Sequence, residues 1–355
     1  MSGAFESLTT RLRAYLASRW PHVDALDVRD VRQIPGGASR ETFSIELAYR
    51  EDGRDVVQRV ILRRDPASSL IDTERALEYR TYAAIHPTDV PVPRPILLEE
   101  DPRHLDRPFS LMEEIPGCET AIQQFTTPHY APLRQKIGHA KWTILGRLAA
   151  LDPLALGANE FMEVPSRQTC ARRELDYWAG VIAKDAMSPQ PVAEATVRWL
   201  RRQMPPPAWK MSLVHGDFRS GNFLYDRQGT IRGVLDWEMA HLGDPLEDLA
   251  WSLDPLWGWP ERHLAGGLLP PDEAIRIWEA ASGLEVDRQA FRWWQVFASL
   301  KALAIWISST EDFANGASKE PILAVAGWVM TDRQNRILVD RLSPSAKHRW
   351  AEPLG

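Results

Sequence analysis

The stretch Leu213 to Ala250 constrains this chain more than any other, because three polar side chains stand where short apolar runs end. Asp217 follows Leu213-Val214, Asn222 opens Phe223-Leu224-Tyr225, and Asp236 closes the run Ile231 to Leu235. Between the last two runs lies Asp226-Arg227-Gln228-Gly229. Glycine supplies the positive φ that a tight turn needs, so the pattern predicts a β-hairpin. Such a hairpin carries Asn222 at the start of one strand and Asp236 at the end of the other, and so brings the two together. A carboxylate and an amide oxygen are hard donors suited to Mg²⁺ carrying substrate phosphates. Asp217 is then a spare carboxylate beside the metal, free to accept a proton.

Taken singly, each of these residues is an ordinary turn or cap residue. Their spacing carries the argument. Asp217 and Asn222 are five residues apart, the interval of the kinase catalytic loop H-R-D-x-x-x-x-N, in which Asp is the base and Asn holds a metal. Here the loop reads His215-Gly216-Asp217-Phe218-Arg219-Ser220-Gly221-Asn222. Asp236 lies nineteen residues after Asp217, in the place of the kinase D-F-G aspartate, with Trp237-Glu238 in place of Phe-Gly. Gly243-Asp244-Pro245-Leu246-Glu247-Asp248-Leu249-Ala250 follows. With these features in this order, the chain resembles the aminoglycoside phosphotransferase/choline kinase family. It is most similar to the bacterial branch that looks like the kinase-like domains fused to some animal acyl-CoA dehydrogenases.

The resemblance implies an α+β, bilobal, protein-kinase-like fold. Residues 1–112 would form a small N-lobe with a lead-in helix, a five-stranded antiparallel sheet with one further helix, and a nucleotide loop. Residues 113–355 would form a larger, mainly helical C-lobe. Local patterns agree. Apolar residues from Phe5 to Trp20 fall at helical spacing. Strand patterns run over Val31–Ile34, Glu41–Tyr49 and Val56–Arg64, and a helix pattern over Leu70–Ile85. Strands are again expected at Ile96–Glu99 and from Phe109. After Gly117 helices are expected over 128–152, 166–186, 192–203, 271–281, 288–308 and 321–341.

Within that frame the resemblance assigns roles. Pro35-Gly36-Gly37-Ala38-Ser39-Arg40 is the candidate phosphate loop, with Ser39 or its backbone as the contact. Arg63 takes the place of the basic residue that pairs with the α/β-phosphates and with a helix carboxylate, here Glu78. Many family members carry Lys there, and the Arg fork differs from it in reach and shape. Met112 would line the adenine pocket, with the Glu113 carbonyl and the Ile115 N–H holding the base edge. Asp217 would be the base, Arg219 a guanidinium on the transferring phosphoryl, and Asn222 and Asp236 the metal ligands. His215 is expected to hydrogen-bond the loop, and Asp248 to hydrogen-bond its backbone from a helix that Asp244-Pro245 starts.

Composition narrows the rest. A net charge of −6 with no long basic run argues against a nucleic-acid partner. Two cysteines, Cys118 and Cys170, give no disulfide framework. The first residues lack a basic and apolar leader pattern, so no signal peptide is expected. Val296–Ile307 is too short to span a bilayer and is interrupted by Lys301, so no membrane partner and a cytoplasmic location are expected. Most of the fifteen tryptophans are expected to be core. Asp254, Glu261, Glu311 and Asp312 make no dense acidic cluster for a polycationic antibiotic, and an apolar or aromatic acceptor fits at least as well.

The function expected is transfer of the γ-phosphoryl group of ATP, GTP being left open, to a hydroxyl of a small molecule with Mg²⁺. The alternative is a nucleotide-binding pseudokinase or regulatory module. Neither the acceptor nor the oligomeric state is fixed by the sequence.

Overall fold

The computed structural model describes residues 2–34, 41–64, 75–120, 125–258, 261–317 and 321–343. The chain divides into two compact units, 1–86 with 92–116, and 87–91 with 117–355.

The first unit opens with α1 (Ser2–Arg19), followed by β1 (Val23–Ile34), β2 (Glu41–Glu51), β3 (Arg54–Arg64), α2 (Arg75–Ile85), β4 (Pro95–Glu99) and β5 (Phe109–Glu113). The strands form one antiparallel sheet in the order β1-β2-β3-β5-β4. Asp52 and Gly53, both at positive φ, make the two-residue turn that suits the twist of a hairpin between β2 and β3. Leu8, Leu12, Tyr15 and Leu16 of α1 pack on Phe43, Ile45, Leu47, Val60, Leu62 and Leu111 of the sheet. The first strand begins eight residues before the expected Val31. Its register shifts twice against β2, between Asp24 and Asp27 and between Arg29 and Arg32, with Ala25 and Asp30 at positive φ. Each bulge resets the alternation, so no run of period two is left to read.

The second unit is mainly helical. It contains β6 (Cys118–Glu119), α3 (Arg134–Ala150), α4 (Cys170–Asp185), α5 (Pro191–Arg202), β7 (Ser212–Val214), β8 (Phe223–Asp226), β9 (Ile231–Val234), β10 (His241–Gly243), α6 (Leu246–Ser252), α7 (Pro271–Ser282), α8 (Arg288–Ala314) and α9 (Pro321–Leu342). The expected hairpin is present: β8 pairs antiparallel with β9, and Asp226 Oδ1 accepts from the N–H groups of Gln228 and Thr230 in the turn. β10 pairs with β7, so the segments before and after the hairpin are also joined. α3 and α7 approach closely at Gly146, where a Cβ would lie 2.6 Å from Ala281 Cβ and 2.7 Å from the Trp278 carbonyl oxygen. Trp142, Trp237, Trp251, Trp278, Trp293 and Trp294 are fully buried, as core tryptophans should be, whereas Trp328 is exposed. Among the described residues no helix is long and apolar enough to cross a membrane. Both cysteines are free, and burial pushes the Cys170 thiol up to about 12.

α3 also buries Lys141 completely. Its Nζ donates to Ser220 Oγ at 3.3 Å and stands 4.5 Å from the centre of the Trp142 ring. Burial pulls its pKa down from 10.5 to about 7. Below about pH 7 the folded state carries a desolvated cation. As pH rises from about 7 to 10.5 the folded state is neutral while the unfolded chain still binds the proton, so stability climbs across that window. Lys141→Met is expected to raise stability by about 1–4 kcal/mol at pH 7 and to flatten this climb, as read from urea midpoints at several pH values.

Candidate active site

The loop His215–Asn222 hangs from buried groups. Both oxygens of the buried Asp248 carboxylate accept backbone N–H groups, Oδ2 from His215 at 2.6 Å and Oδ1 from Gly216 at 2.9 Å. Asp248 lies in the first turn of α6. Burial raises its carboxyl above the ordinary range, against the pull of the His215 ring and the two N–H groups. Asp244 stands just before that helix; its Oδ1 accepts from Leu246 N–H and its Oδ2 from the Trp294 indole. The helix opens at Leu246 with Pro245 as its cap residue rather than Asp244, whose side chain instead accepts the first helical N–H, that of Leu246.

His215 staples the loop through both ring nitrogens. Its Nδ1 accepts from Asp217 N–H at 3.1 Å, so Nε2 carries the hydrogen and donates to the Leu235 carbonyl at 2.9 Å. Gly216 is required where it stands. Its φ is +84°, and a Cβ would meet the Met239 carbonyl oxygen at 2.5 Å and Met239 Cβ at 2.8 Å. This is why glycine occupies the position that protein kinases give to Arg. Met239 is itself held, because its carbonyl accepts from His241 Nδ1 at 3.0 Å.

Behind the loop lies a charge-balanced network that sequence reading missed. Lys301 Nζ, buried in α8, donates to the Gly216 carbonyl at 2.7 Å and to Glu247 Oε1 at 3.1 Å. Glu247 Oε2 meets His241 Nε2 at 3.1 Å, and Glu174 Oε1 lies 3.8 Å from the same nitrogen. Burial disfavours the imidazolium, yet the carboxylates of Glu174 and Glu247 outweigh it and lift His241 to about 9. Burial likewise opposes the Glu247 carboxylate, which His241 and Lys301 hold below its ordinary range. Two carboxylates are thereby matched by two cations. The one signal for this in the sequence was a lysine in the middle of an apolar helix.

Asp217 is surrounded by donors. Asn222 Nδ2 donates to its Oδ2 at 2.8 Å and to its backbone carbonyl at 2.9 Å. Trp251 Nε1 donates to Oδ1 at 2.9 Å, and Arg219 Nε contacts Oδ1 at 3.2 Å and Oδ2 at 3.0 Å. Arg219 also lies over the Trp257 ring, 5.5 Å from its centre. Leu235 N–H donates to the Asn222 carbonyl at 2.7 Å, so the residue after Leu235, Asp236, is brought in beside Asn222. Asp236 has φ +69°, a left-handed conformation that is uncommon outside glycine but that Asp adopts more readily than most residues. Because Asn222 spends its Nδ2 on Asp217, the side chain presents its carbonyl oxygen as the remaining donor atom. An amide oxygen and a carboxylate oxygen are the donor types that Mg²⁺ accepts, so Asn222 and Asp236 could hold such an ion.

In the first unit, Arg63 Nη1 and Glu78 Oε1 form a part-buried ion pair, so Glu78 is not on a solvated helix face. Met112 is buried on β5 opposite Ile61, Glu113 ends that strand, and Ile115 is partly buried just beyond it. Ser39 and its glycine loop lie outside the described residues. Asp254, one of the acidic residues considered for an acceptor, is buried; its carboxylate accepts from Ser299 Oγ at 2.6 Å and Leu256 N–H at 3.0 Å, and meets Arg341 at 3.5 Å.

The sequence profile of the phosphotransferase enzyme family matches residues 30–294. Acyl-CoA dehydrogenase family member 10 of Mus musculus is 30% identical over 227 residues, which cover 63% of this chain and 20% of that protein. The chain therefore matches about a fifth of that relative's length. A protein of Ralstonia eutropha JMP134 described as an aminoglycoside phosphotransferase superposes with a TM-score of 0.75 at 21% identity, covering 94% of this chain and 97% of that one. A thermostable mutant of an aminoglycoside phosphotransferase, solved as a ternary complex with ADP and hygromycin B, superposes with a TM-score of 0.53 at 15% identity, covering 92% and 98%. At these identities the likeness shows the fold, which is α+β and kinase-like.

Gly216→Ala adds a methyl where Met239 stands and strains a left-handed residue. It is expected to cost about 2 kcal/mol or more, seen as a lower urea midpoint; an unchanged midpoint would contradict the packing described.

Proposed function

The chain belongs to the phosphotransferase enzyme family, and from that premise we propose that it transfers the γ-phosphoryl group of ATP, or of GTP, to a hydroxyl of a small molecule. The observation that carries this reading is the setting of Asp217, a carboxylate fixed by neighbouring donors beside Asn222 and Asp236. Asn222 and Asp236 would hold Mg²⁺, which when bound supplies neutralisation of the nucleotide's phosphate charge.

In the proposed reaction Asp217 orients the acceptor hydroxyl and takes its proton. The acceptor oxygen bonds to the γ-phosphorus as the bond from that phosphorus to the β–γ bridging oxygen breaks, and the nucleoside diphosphate leaves. Arg219 Nε occupies both oxygens of Asp217 in the absence of an acceptor. In the proposed reaction the Arg219 guanidinium, next to the base, faces the phosphoryl oxygens whose charge is spreading. Arg63, paired with Glu78, would contact the α/β-phosphates, and Ser39 is kept as a further candidate phosphate contact. Met112, the Glu113 carbonyl and the Ile115 N–H would receive the base. Proximity and charge neutralisation supply most of the rate in such transfers.

For the acceptor, the Trp257 ring beside Arg219 and the internal engagement of Asp254 favour an apolar or aromatic alcohol over a polycation. Hydroxylated metabolites, hydroxyacyl thioesters and antibiotics form the panel to screen, the thioesters because a relative bears the name of an acyl-CoA dehydrogenase.

Asp217→Asn is expected to reduce transfer to the best acceptor by about 10²–10⁴-fold while leaving nucleotide affinity unchanged. Radiolabelled γ-phosphate transfer and nucleotide-binding calorimetry check the two halves. Transfer that survives in Asp217→Asn would remove Asp217 as the base, whereas a wild type that binds nucleotide and phosphorylates nothing on the panel would favour the regulatory-module reading instead.

A further inference from the structure

We propose that Trp251 is a positioning residue for the base, its indole N–H fixing one oxygen of Asp217 while Asn222 fixes the other. The inference rests on the phosphotransferase reading and goes beyond it, since that reading assigns Trp251 no role of its own in the reaction.

Three observations converge. Trp251 is 1% exposed, yet its Nε1 finds an acceptor, Asp217 Oδ1 at 2.9 Å. Asn222 Nδ2, also on a buried residue, takes Oδ2 at 2.8 Å, so the carboxylate is held at both oxygens by donors with little room to move. Arg219, whose side chain is 30% exposed, is the third donor and the one able to leave. A carboxylate pinned by Trp251 and Asn222 keeps its orientation when Arg219 departs, which a proton acceptor needs.

The second observation concerns the helix. Asp248 and Trp251 are three residues apart on α6, one turn along the same face. That face therefore holds the loop twice, its backbone N–H groups through Asp248 and its reactive carboxylate through Trp251. The third concerns the cation behind the ring. Lys301 Nζ lies 5.2 Å from the centre of the Trp251 ring while donating to the Gly216 carbonyl. A cation on the π face draws electron density from the indole and favours its N–H as donor to an anion. Trp257 packs on the same ring at 5.1 Å and an angle of 51°. The orientation of the indole is thus set by groups that themselves touch the loop.

A tryptophan serving only as core would tolerate phenylalanine with a loss of packing alone. The test is Trp251→Phe, which keeps an aromatic ring and removes the N–H. Mg·ATP turnover, with water as acceptor or with the best alcohol of the panel, is expected to fall about 10- to 100-fold in kcat, the worth of a hydrogen bond to a charged group, with KM for ATP moving less than about twofold. A wild-type kcat in this variant overturns the proposal. Independently of folding or turnover in that variant, the Trp251 indole N–H resonance of the otherwise native protein is expected to move upfield in Asp217→Ala while the other indole resonances stay in place. A resonance that does not move also overturns it. Should the wild type show no turnover at all, the phosphotransferase reading fails by itself, and the indole resonance still decides whether Trp251 holds Asp217.

Discussion

The site depends first on one buried carboxylate, that of Asp248, receiving two successive backbone N–H groups from His215 and Gly216. A loop has no ladder to satisfy its amides, and a buried amide without a partner costs about 1–3 kcal/mol. Supplying both partners from one side chain removes that cost and fixes the direction in which the chain leaves the short strand β7. His215 then fixes the next amide, that of Asp217, and ties the loop to Leu235 before Asp236. A short series of hydrogen bonds thus sets the backbone path from Asp217 through to Leu235, just before Asp236.

The same region carries an unusual load of buried charge, and the network of Glu174, Glu247, His241 and Lys301 accounts for it. Lone ions there would each cost several kcal/mol, and pairing offsets this only when every lone pair and proton is used. Lys301 uses its protons on Gly216 and Glu247, and His241 uses its two nitrogens on Met239 and the carboxylates. Each cation thus spends one bond on a neighbouring charge and one on the backbone around Gly216. Replacement by apolar residues would fill the core but release the Gly216 and Met239 carbonyls. Lys141, by contrast, is buried against Ser220 and an aromatic ring with no carboxylate among its described partners, and it bears the full desolvation effect.

Much of this was legible in the sequence. The spacing of Asp217, Asn222 and Asp236 gave the hairpin because turn chemistry and strand alternation are local, and Gly229 marks the turn without reference to the rest of the chain. The Asp248 bonds and the Arg63–Glu78 pair were expected from resemblance, not from any local rule. Trp251 and Lys301 were not foreseen, because a tryptophan or lysine inside an apolar helical run carries no sign of what lies across from it. That information is tertiary: it arises when α8 and α6 pack and bring position 301 against 216 and 251 against 217. β1 was seen only in part for the opposite reason, its bulges erasing a local signal that the strand otherwise has. Asp254 was considered for substrate contact on its charge alone, and its burial beside Ser299 and Arg341 gives it internal work.

Those bulges also bear on how the sheet ends. β1 is an outer strand, and a long outer strand offers a row of amides to which another polypeptide can add. Here the row is interrupted at two places, and Asp27, Arg29, Asp30 and Arg32 are engaged in ion pairs along it. A strand from a second molecule would meet a kinked backbone and would have to break those pairs to dock. That margin of the sheet is thereby made a poor template for accretion.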